Sequence, residues 1–392
     1  MFPLKTKNLL NQLLAGSSIS KRRFESVFRA FSWAVIASTL FMINGCTAEE
    51  TCEEILPASF RITNEADAAA ILEFCEISGD LTIDLGGSSL KDIELVNLKS
   101  LGGVLRLASN PDIERLIFPL LDTIDGGLVI EGNKSLVELG LDSLTRLGGS
   151  ALFRHNASLQ SLEMPALESI DLDLMLTSND ALELFSVPRL SLVLGALVVS
   201  GNPVLEALEY PELRGVAKGM EALYNPFLLR FSAPVLEEVG GGFALGFMPL
   251  LSALELSMLR QVHGYFSMEQ LDSLDVLELL ELEAVGNNLW ILSNEGLVSF
   301  ATPDLVHVGT SLKVGLNPRL AVIRMSKLER IGTDALIFNN SGLPQCLVDA
   351  VIEDVQSAEG IGGKTQFCDL WGCNLDACTC SRDLEGIMVA CE

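Results

Sequence analysis

Aromatic residues make up only 6% of the 392 residues, so aliphatic side chains must fill most of any core, and the 49% hydrophobic content is ample for that. Basic residues number 26 against 52 acidic ones, a formal charge of −26. So few cations argue against nucleic acid as a partner, because phosphate binding needs a basic face. No D-x-D-x-D-G-type loop turns this acidity toward calcium, and it reads as a solvated, self-repelling surface. The only histidines are His155, His263 and His307. They fall at unrelated positions and make no metal site or proton relay. G-x-S-x-G, H-E-x-x-H and P-loop patterns are absent. No catalytic residue, metal or cofactor is therefore assigned. Carboxylates are plentiful, yet no segment gathers the paired Asp that a glycosidase on a β-solenoid uses.

Cysteine is absent from residue 76 to residue 345, although the chain has nine. Eight of them flank that gap: Cys52 and Cys75 before it, then Cys346, Cys368, Cys373, Cys378, Cys380 and Cys391. In an exported chain an even set reads as disulfides, here securing the two ends of a disulfide-free middle. The spacing Cys373-x4-Cys378-x-Cys380 is not a usual zinc spacing. The ninth, Cys46, has no partner in this plan.

Residues 1–45 hold six basic residues (Lys5, Lys7, Lys21, Arg22, Arg23, Arg29) and one acid, Glu25, which leaves the remainder at −31. From Ala30 to Ile43 fourteen residues carry no charge. A basic stretch followed by an apolar run of this length is a secretory signal, too short for a comfortable membrane-spanning helix of about 20 residues. It ends in Ile43-Asn44-Gly45-Cys46, which resembles the bacterial lipobox, with an aliphatic residue at −3, a small one at −1 and Cys at +1. The resemblance implies that Cys46 is lipidated and becomes the mature N-terminus. Retention in the inner membrane usually carries Asp at the next position, and Thr47 there implies export to the outer membrane. The alternative is an ordinary signal peptide or uncleaved anchor, with Cys46 a free or paired thiol.

The middle of the chain is periodic. Asn110, Asn133, Asn156, Asn179, Asn202, Asn225, Asn294, Asn317 and Asn340 are 23 residues apart, with two missing beats at Met248 and Leu271. An aliphatic residue stands three after each anchor (Ile113, Leu136, Leu159 and onward), Leu stands eleven after, and Pro is frequent nine after. Alternating apolar pairs such as Leu128/Ile130 precede the anchors. A period of this length means a solenoid whose coils share one core. Alternating residues form a short strand, the Asn follows it at a turn, and stacked Asn amides, donor and acceptor at once, satisfy turn backbone along the stack. The segment 79–90 fits as a first coil with a one-residue slip. Asn133 and Asn156 also match the glycosylation pattern, but as anchors their burial blocks modification. Around the missing beats Phe247, Met248, Tyr265, Phe266 and Met268 gather, either as core compensation or as an apolar binding patch.

The stretch 60–83, FRITNEADAAAILEFCEISGDLTI, resembles the opening of the receptor L domain found in insulin- and EGF-type receptors and in many bacterial surface lipoproteins. The shared pattern is a leading Cys, a short helix, a second Cys and G-D-L-x-I, here Cys52, residues 66–74, Cys75 and Gly79-Asp80-Leu81-Thr82-Ile83. The resemblance covers about residues 52–346. It implies a mainly β, right-handed parallel solenoid of about twelve 23-residue coils with leucine-rich-repeat character. Five segments are expected: a lipoprotein signal peptide (1–45), an N-terminal cap (46–78), the solenoid (79–342), a capping helix (343–358) with Ser341 as its N-cap, and a Cys-rich tail (359–392) with Cys346 tied to Cys368. The function expected is non-enzymatic binding of a protein or glycan partner at the cell surface, with the membrane reached through the lipid anchor. A structural envelope component and a carbohydrate-active solenoid enzyme are the alternatives.

Overall fold

A computed structural model of the chain describes residues 54–357, 360–363 and five two-residue strands between 365 and 389. The basic head, the lipobox, Cys46, Cys52, Cys378, Cys380 and Cys391 lie outside the described residues. The described part belongs to one compact unit, Cys52–Glu392.

Each 23-residue turn carries three strands. In one turn these are Leu105–Ala108, Arg115–Ile117 and Thr123–Ile124. The four-residue strands stack into a 14-stranded parallel sheet, and the two-residue strands into a second 14-stranded sheet. The third side breaks into sheets of three, two, three and three strands. Pairing is in register at the repeat length, so Leu128 lies beside both Leu105 and Ala151. The mainly β parallel solenoid of about twelve turns is therefore what the period dictates.

The four-residue strands hold because two of their residues point inward: Leu128 and Ile130 are buried while Val129 and Glu131 are half-buried. Most third-side strands have one firmly buried residue, such as Leu116, with less to hold their neighbours in line. Leu128, Ile130, Leu136, Leu139, Leu141, Leu144 and Leu147 fill one turn of the core. The coils approach backbone to backbone at the glycine corner. A Cβ on Gly309 would meet the Gly286 carbonyl oxygen at 1.8 Å, so only hydrogen fits there. A run of aromatic contacts, Phe185, Tyr210, Phe231, Phe243 and Phe266, passes through the core and reaches the two turns where the Asn is missing.

Both long sheets begin within the N-terminal cap: Ile55–Leu56 pairs with Glu76–Ile77, and Phe60–Ile62 with Leu81–Ile83. Between them Asn64 caps the helix Glu65–Ala70, and a 3-10 turn follows at Ile71–Glu73. Leu81 pairs with Leu105, 24 residues on, and the extra residue falls near Gly86 and Gly87, both at positive φ. At the other end the helix Gln345–Ser357 buries Leu347, Val348, Val351, Ile352 and Val355. Ser341 is not its N-cap: its hydroxyl donates to the Pro318 carbonyl one coil away, and the helix starts after Pro344. Cys75 and Cys346, one near each end, are disulfide-bonded. The backbones of Cys368 and Cys373 face each other in a two-strand hairpin.

Candidate functional site

The nine anchor asparagines are 0–1% exposed. Asn179 shows their bonding. Its Oδ1 accepts from the backbone N–H (3.1 Å) and the Nδ2 (3.2 Å) of Asn156, and its Nδ2 donates to the carbonyls of Phe153 (3.1 Å) and Thr177 (3.3 Å). Its Nδ2 also reaches Asn202 Oδ1, at 3.2 Å, so this one amide joins three coils. At the first missing beat the Met248 N–H donates instead to the Gln270 carbonyl, at 3.2 Å. The Leu271 N–H rejoins the ladder at Asn294 Oδ1, 3.0 Å away. These residues hold the fold, and a buried amide has no surface to offer a ligand.

The five residues around the missing beats divide. Met248, Phe266 and Met268 are 0–1% exposed and belong to the core, so they form no surface patch. The reason is positional. Phe266 and Met268 sit in the same inward columns as Leu289 and Ile291 one turn later, and Met248 takes the anchor's own buried place. Phe247 and Tyr265 reach the surface. His155, His263 and His307 stay apart, and His263 bonds Glu238 on the surface.

The residue before each anchor was overlooked by sequence reasoning. All eleven occupants have φ between 53 and 70°, the left-handed region. Most are residues that tolerate it or lack a bulky side chain: Gly132 and Gly201, Ser109, Ser178 and Ser293, and Asn339. Three are not: Tyr224, Phe247 and Leu316. A bulky side chain here costs of order 1–3 kcal/mol. At Tyr224 and Leu316 burial does not offset that cost, since they are 54% and 46% exposed; Phe247 is half-buried.

These residues lie on one strip. Six aromatic side chains of the described coils are not buried in the core: Tyr224, Phe227, Phe247, Tyr265, Trp290 and Phe338. All fall between residues 224 and 338, on the outer face of the four-residue strands or the turns that border it. Packing accounts for two of them. The Tyr265 ring lies across Gly242, and its hydroxyl donates to Glu221 Oε1 at 2.5 Å; the Phe338 ring lies across Gly315. Desolvation first, then the Glu221 carboxylate, pushes the Tyr265 phenol up to about 12. Lys313 Nζ sits 5.1 Å from the Trp290 ring centre, a cation–π contact. Tyr224 and Phe247 stack on each other, 4.4 Å between centres and 14° between planes, and Phe227 beside them is 57% exposed.

Next to Phe247 opens a groove of about 670 Å³ that follows the stacking direction. Phe247 and Pro249 form one end, with Leu316, Pro318 and finally Asn339 toward the other, and Gln270, Asp272, Ser293 and Glu295 between them. Among the described residues no basic side chain pairs with Asp272 or Glu295. A second depression of about 700 Å³ lies on the third side, where the sheet breaks between Ala253–Glu255 and Val276–Glu278. Among the described residues no group of three His, Cys, Asp or Glu is placed to hold a metal ion.

Comparison with protein-family models, curated proteins and solved structures finds no match. Fold and strip together define the class: a parallel β-solenoid with a groove along one flank that has Phe247 at one end.

Proposed function

We propose that the chain is a non-enzymatic binding protein of the cell surface, exported, anchored in the outer membrane through lipid on Cys46, and of the receptor L-domain type. The basic head, the apolar run and the lipobox-like Ile43-Asn44-Gly45-Cys46 support the anchor. Disulfide-bonded Cys75 and Cys346 accord with an oxidising compartment. The observation that carries the binding reading is the placement of Tyr224, Phe247 and Leu316. Beyond the Tyr224–Phe247 stack the solenoid gains little internally from bulky side chains at these strained positions, whereas a partner gains rigid apolar contact area.

The test is binding of surface-displayed chain to protein and glycan partners, compared with a Tyr224→Ser/Phe247→Ser/Leu316→Ser variant. Serine occupies the same position in three native coils, so the fold tolerates it. Partners lost with the variant are expected; partners retained at full affinity refute the reading. For the anchor, palmitate incorporation is expected in the native chain and should vanish in Cys46→Ser.

A further inference from the structure

The geometry points to an uncharged oligosaccharide, about three sugar units long, lying in the groove between Phe247 and Leu316 with its length along the stack. This rests on the reading of the chain as a binding protein. Three coils separate Phe247 from Leu316, so at one strand spacing per coil that part of the groove is about 14 Å long, and the lining continues one coil further to Asn339. A pyranose unit in a chain advances by about one such spacing, so successive sugars meet successive coils.

The lining matches sugar chemistry in two respects. A sugar ring has apolar C–H faces, and the groove offers an aromatic ring and Pro249 at one end, Leu316 and Pro318 at the other. A sugar also has hydroxyl groups around its edge that need acceptors. Asp272 and Glu295 are acceptors without a basic partner among the described residues, while Gln270, Ser293 and Asn339 both donate and accept. The same two carboxylates, in a chain carrying −31 beyond residue 45, repel an acidic polysaccharide.

A basic peptide is the competing occupant, since it too would find carboxylates and an aromatic ring. The peptide would be held by charge and the sugar would not. The salt dependence of binding therefore separates them, because exposed charge pairs weaken as the Debye length shrinks to about 3 Å at 1 M salt.

The experiment titrates the whole chain by calorimetry with four uncharged trisaccharides, the β-1,4-glucose, α-1,4-glucose, mannose and N-acetylglucosamine trimers, and with a lysine-rich peptide. At least one sugar is expected to bind, with less than about a twofold change between low and 1 M salt. Phe247→Asn and Asp272→Asn should each weaken it about tenfold, equivalent to one well-made contact of about 1.4 kcal/mol. Asn339 already holds the same left-handed conformation, so Phe247→Asn leaves the fold intact. Leu120→Ser, on an exposed turn remote in the coil, should leave sugar binding unchanged. Binding of the peptide alone, lost at high salt, overturns the sugar inference and leaves the binding-protein reading standing. If no sugar binds and the strip variants bind every surface partner as the native chain does, both fail.

Discussion

Replacing one ladder asparagine tests how the coils are held in register. Asn179→Ala removes five hydrogen bonds, two accepted from Asn156 and three donated, to Phe153, Thr177 and Asn202. The Asn156 side chain keeps its bond to the Ile130 carbonyl at 2.9 Å, so the new orphan is the buried Asn156 backbone N–H. An unsatisfied buried donor costs about 1–3 kcal/mol, and the other bonds are each worth about 1 kcal/mol net. Because the two Nδ2 hydrogens are shared among their acceptors, three such bonds count beside the orphan, and the expected loss is roughly 4–6 kcal/mol. Asn179→Leu should cost less, about 1–2 kcal/mol, because the chain shows a fallback. Where Leu271 replaces an anchor, the preceding coil's N–H turns to the backbone carbonyl of Gln270. Urea unfolding followed by circular dichroism measures the loss, and amide exchange at Asn156 reports it locally. If both variants unfold within about 0.5 kcal/mol of the native chain, with Asn156 equally protected, the ladder is not what fixes the stack.

Tyr210 is fully buried and its hydroxyl has no hydrogen-bond partner, so Tyr210→Phe should raise stability by about 1–3 kcal/mol; a lower melting temperature contradicts this. Gly309→Ala forces a methyl against the Gly286 carbonyl and should destabilise by about 3 kcal/mol or more, read as a lower urea midpoint; an unchanged midpoint means the coils can part there. Tyr265 should titrate near about 12, seen in phenolate absorbance, and Glu221→Gln should bring it part of the way back toward 10. Because the folded state holds that proton more tightly than the unfolded one, its contribution to stability is complete below pH 10 and is lost as pH rises through the folded value. Titration at the ordinary phenol value refutes the half-buried Tyr265–Glu221 contact.

The 23-residue period was legible because its strongest columns are buried. Asn110 to Asn340, the alternating pairs and the Leu eleven places on are buried positions, where the core restricts each column to a narrow set of residue types. The third-side strands were not legible. Three residues with one firmly buried side chain, as at Arg115–Ile117, leave no alternation to read. The cluster at Phe247–Met268 was visible as composition, but composition does not say which side chains face inward. Met248, Phe266 and Met268 follow their columns into the core, and Phe247 does not. The strip itself was hidden for a different reason. Its signal is bulky residues at a left-handed backbone position, and that conformation belongs to the folded turn. In the sequence it shows only as Tyr224, Phe247 and Leu316 standing in a column otherwise of Gly, Ser, Asn, Gln and His.

The central claim is that those three side chains are kept for contact with a partner and not for the fold. The most direct measurement pairs melting temperature with partner affinity for Tyr224→Asn/Phe247→Asn/Leu316→Asn. Asn accepts the left-handed conformation, so the account predicts a melting temperature equal to or above the native one, together with loss of binding. A melting temperature several degrees lower, with affinity unchanged, would contradict it.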